Sequence, residues 1–208
     1  HGNLDDVVTV SKENVKLESD SSNCGLKEGD QLTVEQLLYG LMLKSANEAA
    51  NVLADYISGS TENFAKLMNE EAKLLGATNS HFVNAHGLHD EEHYTTARDM
   101  ALIGCEIFEH PELFDIMQTR QYVIEESDTV EEHVFQQKHK MLLDGYRDYY
   151  EYAIGGKTGY TSDALSTLIT MADNGEMELV CVVLRTYGRN IYPDTTNLFE
   201  YAFDNFKK

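Results

Sequence analysis

The sequence predicts an α+β fold in which a helical lobe comes first and an antiparallel sheet with a closing helix follows. Apolar residues recur at helical spacing in four stretches between residues 33 and 110. Two β-rich segments, 165–172 and 177–185, flank Asn174-Gly175, a dipeptide typical of a tight hairpin turn. Pro193 then opens a last amphipathic stretch. This order of elements favours helices packed beside one sheet.

We expect one domain over residues 1–208, with a mainly helical lobe at 31–120 and the sheet plus closing helix at 121–208. The chain of 208 residues is long enough to bury a core. It carries 16 Lys and Arg against 36 Asp and Glu, a formal net charge of −20. This surplus of negative charge argues against binding to nucleic acid or to anionic lipid.

The helices are delimited by start and stop signals. Thr33 and Gln36 form a capping box before the first helix, Gly59 and Gly76 end the second and third, and Thr96 opens the fourth. The apolar positions that define the four helical faces are Val34, Leu37, Leu38, Leu41 and Met42; Ala49, Ala50, Leu53 and Ile57; Phe64, Leu67, Met68, Leu74 and Leu75; and Ala97, Met100, Ala101, Gly104, Ile107 and Phe108.

The remaining segments are shorter or irregular. Residues 7–10 and 122–124 read as strands, and residues 113–117 as a short helix. The acidic run 125–132 is typical of a solvated linker or a hairpin end. Residues 77–94 break all periodicity, and a loop of this length is more often functional or tightly packed than idle.

Three cysteines, Cys24, Cys105 and Cys181, are widely spaced and odd in number, so we expect free thiols. Cys105 and Cys181 have apolar neighbours, which predicts that both are buried.

The long loop carries His81, His86, His89 and His93 beside acidic residues, a composition that raises the question of a zinc site. No H-E-x-x-H motif is present, and the stretch is irregular rather than helical. A turn-rich loop is the favoured interpretation, and we predict no metal and no other cofactor.

Lys157-Thr158-Gly159 lies on a predicted strand edge and provides an ammonium, a hydroxyl and open backbone. These groups suit a peptide carboxylate laid along the edge, and Gly159 would permit close approach. The motif is short, and by itself it is also explained by an exposed strand entering a turn.

Ser45-x-Asn47 lies at a junction between two predicted helices. Alone, such residues are explained as helix caps. A Ser-x-Asn between helices that is followed much later by Lys-Thr-Gly on a strand is more specific, because both belong to the active-site set of penicillin-interacting enzymes.

Three blocks in order, Leu37–Ala50, Phe82–Met100 and Gly155–Ser162, resemble the D-alanyl-D-alanine carboxypeptidases, the low-molecular-mass penicillin-binding proteins. The resemblance runs along nearly the whole chain. It implies a β-lactamase/transpeptidase-like fold, an α/β sandwich, and an extracytoplasmic location at the cell wall. It also implies two partners, a peptidoglycan stem peptide ending in D-Ala-D-Ala and the β-lactams that imitate it.

In the family a serine attacks the carbonyl of the penultimate D-alanine and becomes acylated, and the last D-alanine is released. Water then hydrolyses the acyl-enzyme. By this resemblance Ser45 would relay a proton to the leaving amine, and Asn47 would hold the substrate amide. Lys157 would supply positive potential, and Thr158 would contact the terminal carboxylate. The resemblance adds further substrate-binding candidates: Gly159, Tyr160, His86, Ser21 and Arg189.

The family's Ser-x-x-Lys motif supplies the nucleophile and its activating base, and no serine of this chain stands three positions before a lysine. Thr9 and Cys24 stand three residues before Lys12 and Lys27, but neither is a serine. In relatives the motif precedes the segment that resembles Leu4–Ser11, so we expect it upstream of His1. We therefore expect this chain to be inactive alone, and to self-associate through an exposed sheet edge.

Two other functions stay open at this point. The chain could belong to a non-catalytic cell-wall or β-lactam-binding protein, which only the upstream sequence would distinguish from a truncated enzyme. It could also belong to a β-lactamase, which needs an efficient deacylating base, and no motif singles one out.

Overall fold

The computed structural model describes residues 2–18 and 21–206 and confirms the α+β class. The helices in these ranges are α1 Val34–Tyr39, α2 Asn47–Ser58, α3 Thr61–Leu74, α4 Ala97–Glu106, α5 Pro111–Gln118 and α6 Ile191–Asn205. The strands are β1 Val7–Thr9, β2 Gln31–Thr33, β3 Gln121–Ile124, β4 His133–Gln136, β5 Ala153–Thr161, β6 Leu165–Asp173 and β7 Glu178–Thr186. Nowhere in the described ranges is a helix both long and apolar enough to cross a membrane.

The chain forms two compact units. The first comprises the described residues of His1–Glu70, His81–His93 and Thr119–Gln137, and the second those of Glu71–Ser80, Tyr94–Gln118 and Lys138–Lys208.

The first unit contains two antiparallel strand pairs, β1–β2 and β3–β4, together with α1 and α2. Thr33 Oγ1 accepts from the Gln36 N–H, and the Gln36 side chain accepts from the Thr33 N–H, so the predicted capping box is confirmed. Phe135 on β4 is 2% exposed and lies against Gly40, where an added Cβ would be 3.5 Å from the ring. Close packing of this kind fixes the chain just after α1.

The second unit is built on a three-stranded antiparallel sheet of order β5-β6-β7, which places β5 at an edge. Helix α6 packs on β7 and β6. Its Phe199 ring also stacks on Tyr150, just before β5, with 5.7 Å between centroids, and the Tyr150 hydroxyl donates to Glu200 at 2.7 Å. Gly104 brings α4 against β6 and β7, and Gly155 brings β5 against α5. The buried core of this face consists of Met141, Tyr150, Leu168, Ala172, Cys181, Ile191, Tyr192 and Phe199.

Most predicted boundaries are confirmed. Gly59 and Gly76 adopt positive φ directly after α2 and near the end of α3, and Gly175 does so in the β6–β7 turn. Helix α6 begins at Ile191, two residues before the predicted start at Pro193. Proline fits there because a first-turn residue has no intrahelical use for its N–H.

The prediction of a buried Cys105 is wrong, since this side chain is exposed. On α4 the buried positions are Asp99 and Gly104, and Cys105 follows Gly104 by one residue, about 100° around the helix. Cys181 is buried as predicted, Cys24 is partly buried, and all three are free thiols.

The two compact units have different boundaries from the two predicted lobes. Helices α4 and α5 fall within the predicted helical lobe but pack on β7 and β5, in the second unit. Their apolar faces pack against the sheet, a pairing that helical periodicity alone does not specify.

Candidate active site

The turn that carries Ser45 is irregular. After α1 the chain forms a π-helical turn, Gly40–Lys44, which ends at Ser45 with φ 63° and ψ 44°, in the left-handed region. The Ser45 N–H donates to Gly40 O. A non-glycine residue at positive φ costs about 1–3 kcal/mol, and such strain concentrates at functional sites, as do π-helical turns.

Helix α2 begins at Asn47, and its N-cap residue is Ala46, which makes no side-chain cap. Ser45 and Asn47 are therefore not explained as the N-cap of α2, the alternative that the sequence allowed. The Asn47 side chain is buried at 6% exposure, unusual for a residue serving only to begin a helix.

The segment Ser21-Ser22 lies against this turn through Ser22. The Asn47 N–H donates to Ser22 O at 3.0 Å, and Ser22 Oγ donates to Lys44 O at 3.1 Å. Ser21 itself donates from its hydroxyl to Glu18 O at 2.9 Å. The structure thus brings Ser22, rather than the predicted Ser21, into contact with the Ser45–Asn47 turn.

His86 lies in the long loop of the same unit. Its Nδ1 accepts from the Leu88 N–H at 3.2 Å. Burial lowers the pKa of His86, the charge of His93 lowers it too, and the charge of Glu18 raises it. The net direction favours a neutral imidazole with its proton on Nε2.

Two other loop histidines, His81 and His93, also contact backbone atoms. His81 Nδ1 lies 2.6 Å from Glu92 O, and His93 Nδ1 accepts from the Val83 N–H at 3.2 Å. Among the described residues, no three His, Cys, Asp or Glu side chains are grouped as a metal ion would require.

Lys157, Thr158, Gly159 and Tyr160 follow one another on the edge strand β5 of the second unit. Lys157 Nζ donates to Thr158 O at 2.8 Å. Burial lowers the pKa of the Lys157 ammonium to about 8, and the positive charge of Lys138 lowers it as well. Lys157 therefore stays mainly cationic at neutral pH while it lies close to titration.

A buried histidine supports β5 from beneath. Gly156 has φ 151°, and a Cβ there would come within 2.7 Å of His139 Nε2. His139 is 1% exposed, its Nε2 lies 2.9 Å from Thr170 Oγ1, and burial lowers its pKa to about 4. A neutral ring at this position adds no second charge beneath Lys157.

Gly159 and Tyr160 differ in what surrounds them. A Cβ at Gly159 would lie 2.5 Å from Thr167 Oγ1 on β6, so a larger residue there would have to displace the Thr167 side chain. Tyr160 is 73% exposed and presents its ring to solvent. Of the two, only Tyr160 offers a side chain to a ligand.

Arg189, in a short 3₁₀ turn after β7, makes a hydrogen-bonded ion pair with Asp148 at 2.5 Å between Nη2 and Oδ2. Asp148 is 9% exposed at its side chain and Arg189 is 57% exposed. The guanidinium thus already has a carboxylate from its own unit, and binding a ligand carboxylate would use its other donors.

Two residues near Lys157 were not singled out by sequence reasoning, Lys138 and His139. They follow β4 in a polar stretch, Gln136–Lys140, that resembles an ordinary solvated loop. The only available signal was a cluster of cationic and imidazole side chains next to a strand end, which is not specific.

A family model described as D-alanyl-D-alanine carboxypeptidase matches residues 2–187. The chain belongs to this family. The resemblance stated from the sequence is thereby confirmed, and the match includes residues of both units but ends before α6.

Curated members of the D-alanyl-D-alanine carboxypeptidase family align with nearly all of this chain. It is 37% identical to DacC of Escherichia coli, over 98% of this chain and 50% of that protein. It is 32% identical to DacF of Bacillus subtilis, over 88% of this chain and 46% of that protein. The chain thus spans about half the length of the curated relatives it matches.

Solved structures agree with this membership. The Streptomyces K15 DD-transpeptidase superposes with a TM-score of 0.87 at 31% identity, covering 97% of this chain and 80% of that one. A D-alanyl-D-alanine carboxypeptidase from Mycobacterium tuberculosis gives a TM-score of 0.86 at 27% identity, covering 98% and 76%. The penicillin-binding protein fold that the resemblance implied is therefore confirmed.

Proposed function

We propose that this chain is part of a serine-type D-Ala-D-Ala carboxypeptidase that acts on peptidoglycan stem peptides through an acyl-enzyme and binds penicillin. The observation that carries the proposal is Lys157-Thr158-Gly159 on an edge strand, in a chain of this family. An edge strand offers main-chain hydrogen bonds to an extended peptide, and a cation beside a hydroxyl suits its terminal carboxylate. Since this substrate is cell wall, the proposed location is outside the cytoplasm.

The side chains divide the work by their chemistry. Lys157 supplies positive potential for the carboxylate and for charge that develops during the reaction. The Thr158 hydroxyl donates a hydrogen bond to the terminal carboxylate, and Asn47 holds the substrate amide. Ser45 relays a proton to the leaving amine.

The remaining candidates are assigned to substrate binding with different strengths of support. Tyr160 is exposed beside the motif, and His86 is neutral with Nε2 available as a donor. Gly159 leaves the strand edge without a side chain. Ser21 and Arg189 rest on family position alone, because one donates to Glu18 O and the other pairs with Asp148.

We further propose that these 208 residues bind the substrate but neither acylate nor hydrolyse it. No serine in the sequence stands three residues before a lysine, so the family's nucleophile and base are not among these residues. Ser45 does not replace the nucleophile in this proposal.

Equilibrium binding tests the assignment directly. A peptide ending in D-Ala-D-Ala is titrated into isotopically labelled protein, and the amide signals of Thr158 and Gly159 are followed by NMR. We expect a saturable shift of both signals, and none with the same peptide ending in L-Ala-L-Ala.

Thr158→Val separates recognition from chance contact, because it removes the hydroxyl while keeping the branched shape. Loss of one hydrogen bond to a carboxylate costs about 1.5–3 kcal/mol, roughly a tenfold or greater rise in Kd. Thr78→Val is the matched control at an exposed position of the same unit. Equal affinity of both variants, or binding without preference for D-alanine, would contradict the proposal.

A further inference from the structure

Glu48 is a buried carboxylate directly after Asn47, in the first turn of α2, and it is 2% exposed. Burying a carboxylate is costly unless hydrogen bonds compensate. A glutamate whose only role was to interact with the positive end of the helix dipole could do so while exposed to solvent. The contacts of Glu48 therefore indicate what its burial accomplishes.

Three successive backbone amides converge on one oxygen of this side chain. Glu48 Oε1 accepts from the N–H groups of Cys24, Gly25 and Leu26 at 2.7, 2.9 and 3.4 Å. Gly25 has φ 86°, a conformation that glycine adopts without strain, so the chain can turn around the carboxylate. Successive N–H groups arranged in this way form a compact anion-binding concavity.

The loop held by Glu48 also contacts the turn that precedes α2. Ser22 O accepts from the Asn47 N–H at 3.0 Å, and Ser22 Oγ donates to Lys44 O at 3.1 Å. Ala46, the N-cap residue, makes no side-chain cap, so Ser22 provides a hydrogen bond that α2 itself lacks at this end. Residues 22–26 thus connect the Glu48 carboxylate to both ends of the Ser45 turn.

We propose that Glu48 is a positioning residue: its carboxylate fixes residues 22–26 over the start of α2, and this loop fixes the backbone of Asn47 and of the turn ending at Ser45. The two hydrogen bonds of Ser22 are made to Lys44 O and by the Asn47 N–H, so they flank Ser45, whose φ is 63°. The functional meaning of this positioning rests on the proposed role of Asn47 in holding the substrate amide.

Amide hydrogen exchange measures this positioning without any need for activity. Glu48→Ala removes the acceptor, and we expect the Asn47 amide to exchange at least about tenfold faster, although its own partner is Ser22. Amides in the later turns of α2, such as Leu53, should keep their rates. Glu48→Gln keeps one acceptor oxygen without the charge and should give a smaller increase.

Glu70→Ala is the matched control, because it removes an exposed carboxylate from a helix of the same unit. It should leave the Asn47 rate unchanged. A uniform increase along α2 in Glu48→Ala and Glu48→Gln would show a general loss of stability and overturn the proposal. An unchanged Asn47 rate in both variants would overturn it as well.

Peptide binding then separates this inference from the proposed function. If Glu48→Gln accelerates exchange at Asn47 and weakens binding of the D-Ala-D-Ala peptide severalfold, both stand. Failure of the unmodified chain to bind the peptide would refute the proposed function and leave the positioning role intact. Full affinity in Glu48→Gln, despite faster exchange, would refute the link from Glu48 to substrate.

Discussion

Lys157 is the residue whose ionisation state governs the proposed recognition of a carboxylate. Its pKa is lowered to about 8 by burial and by the charge of Lys138. Below this pH the ammonium form predominates and attracts an anion, and above it the neutral amine does not. The lowered pKa of Lys157, which would help proton transfer, therefore limits anion binding to pH values below about 8.

We predict that affinity for the D-Ala-D-Ala peptide falls as pH rises through about 8. The side-chain carbon signal of Lys157, followed by NMR, should titrate with the same midpoint. Lys138→Met removes one cause of the lowered pKa, so in that variant the midpoint should move upward. A Lys157 midpoint near 10.5 in the unmodified chain would contradict this account.

Residue-scale chemistry was only partly predictable from the sequence. Lys157 and Thr158 follow from a motif, because adjacent residues on a strand stay adjacent in space. The influence of Lys138 and His139 on β5 does not follow, since it depends on where a loop after β4 returns to the sheet. The exposure of Cys105 was missed for a related reason: apolar neighbours in the sequence do not determine which face of a helix packs on the sheet.

The π-helical turn before Ser45 is the element whose geometry departs most from an ordinary helix end. Regular apolar spacing around Leu41 and Met42 predicted continuous helix there, and α1 indeed starts at the predicted capping box. A π turn inserts one residue without altering the composition, so periodicity cannot reveal it. Start signals, glycine stops and the Asn-Gly hairpin were predictable because each depends on local backbone chemistry.

We predict that Ser45→Val destabilises the protein by about 1–2 kcal/mol relative to Ser45→Gly. Left-handed φ crowds a Cβ, more so a β-branched one, whereas glycine adopts it freely. Chemical denaturation of the two variants measures the difference. If valine is tolerated as well as glycine, the strain assigned to this turn is absent.

The loop from His81 to His93 is an element whose order should depend on pH. Nδ1 of His86 and of His93 each accept a backbone N–H, and burial lowers the pKa of both. A proton on Nδ1 would remove the acceptor. The folded state therefore takes up these protons less readily than the unfolded chain, whose histidines titrate near 6.5.

We predict that stability falls as pH decreases below about 6.5, since the unfolded chain then binds more protons than the folded one. Like charge from His81, His89 and His93 acts in the same direction, whereas Asp90 and Glu18 oppose it. Amide exchange at Val83 and Leu88, corrected for its intrinsic pH dependence, should accelerate over this range.

His93→Gln should weaken the pH dependence, because glutamine can accept the same hydrogen bond but does not titrate there. His89→Gln, at an exposed position, is the control and should change it much less. Equal pH profiles for His93→Gln and the unmodified chain would contradict the assignment.

For the molecule as a whole, self-association through an exposed sheet edge stays a prediction. The sheet order leaves β5 and β7 at the two edges, and an unpaired edge can pair with another chain. A net charge of −20 opposes such contact. We therefore expect association to increase with salt, as measured by light scattering at low and high ionic strength, and a monomer under both conditions at high concentration would contradict it.

The central proposal is that these 208 residues provide the recognition groups of a D-alanyl-D-alanine carboxypeptidase without its acylating serine. Intact mass before and after incubation with penicillin tests it most directly, because an acyl-enzyme retains the whole opened drug. We predict a mass that matches the 208 residues and does not change. A covalent adduct of the mass of penicillin on this chain would show that a nucleophile is present among these residues, and would contradict the claim.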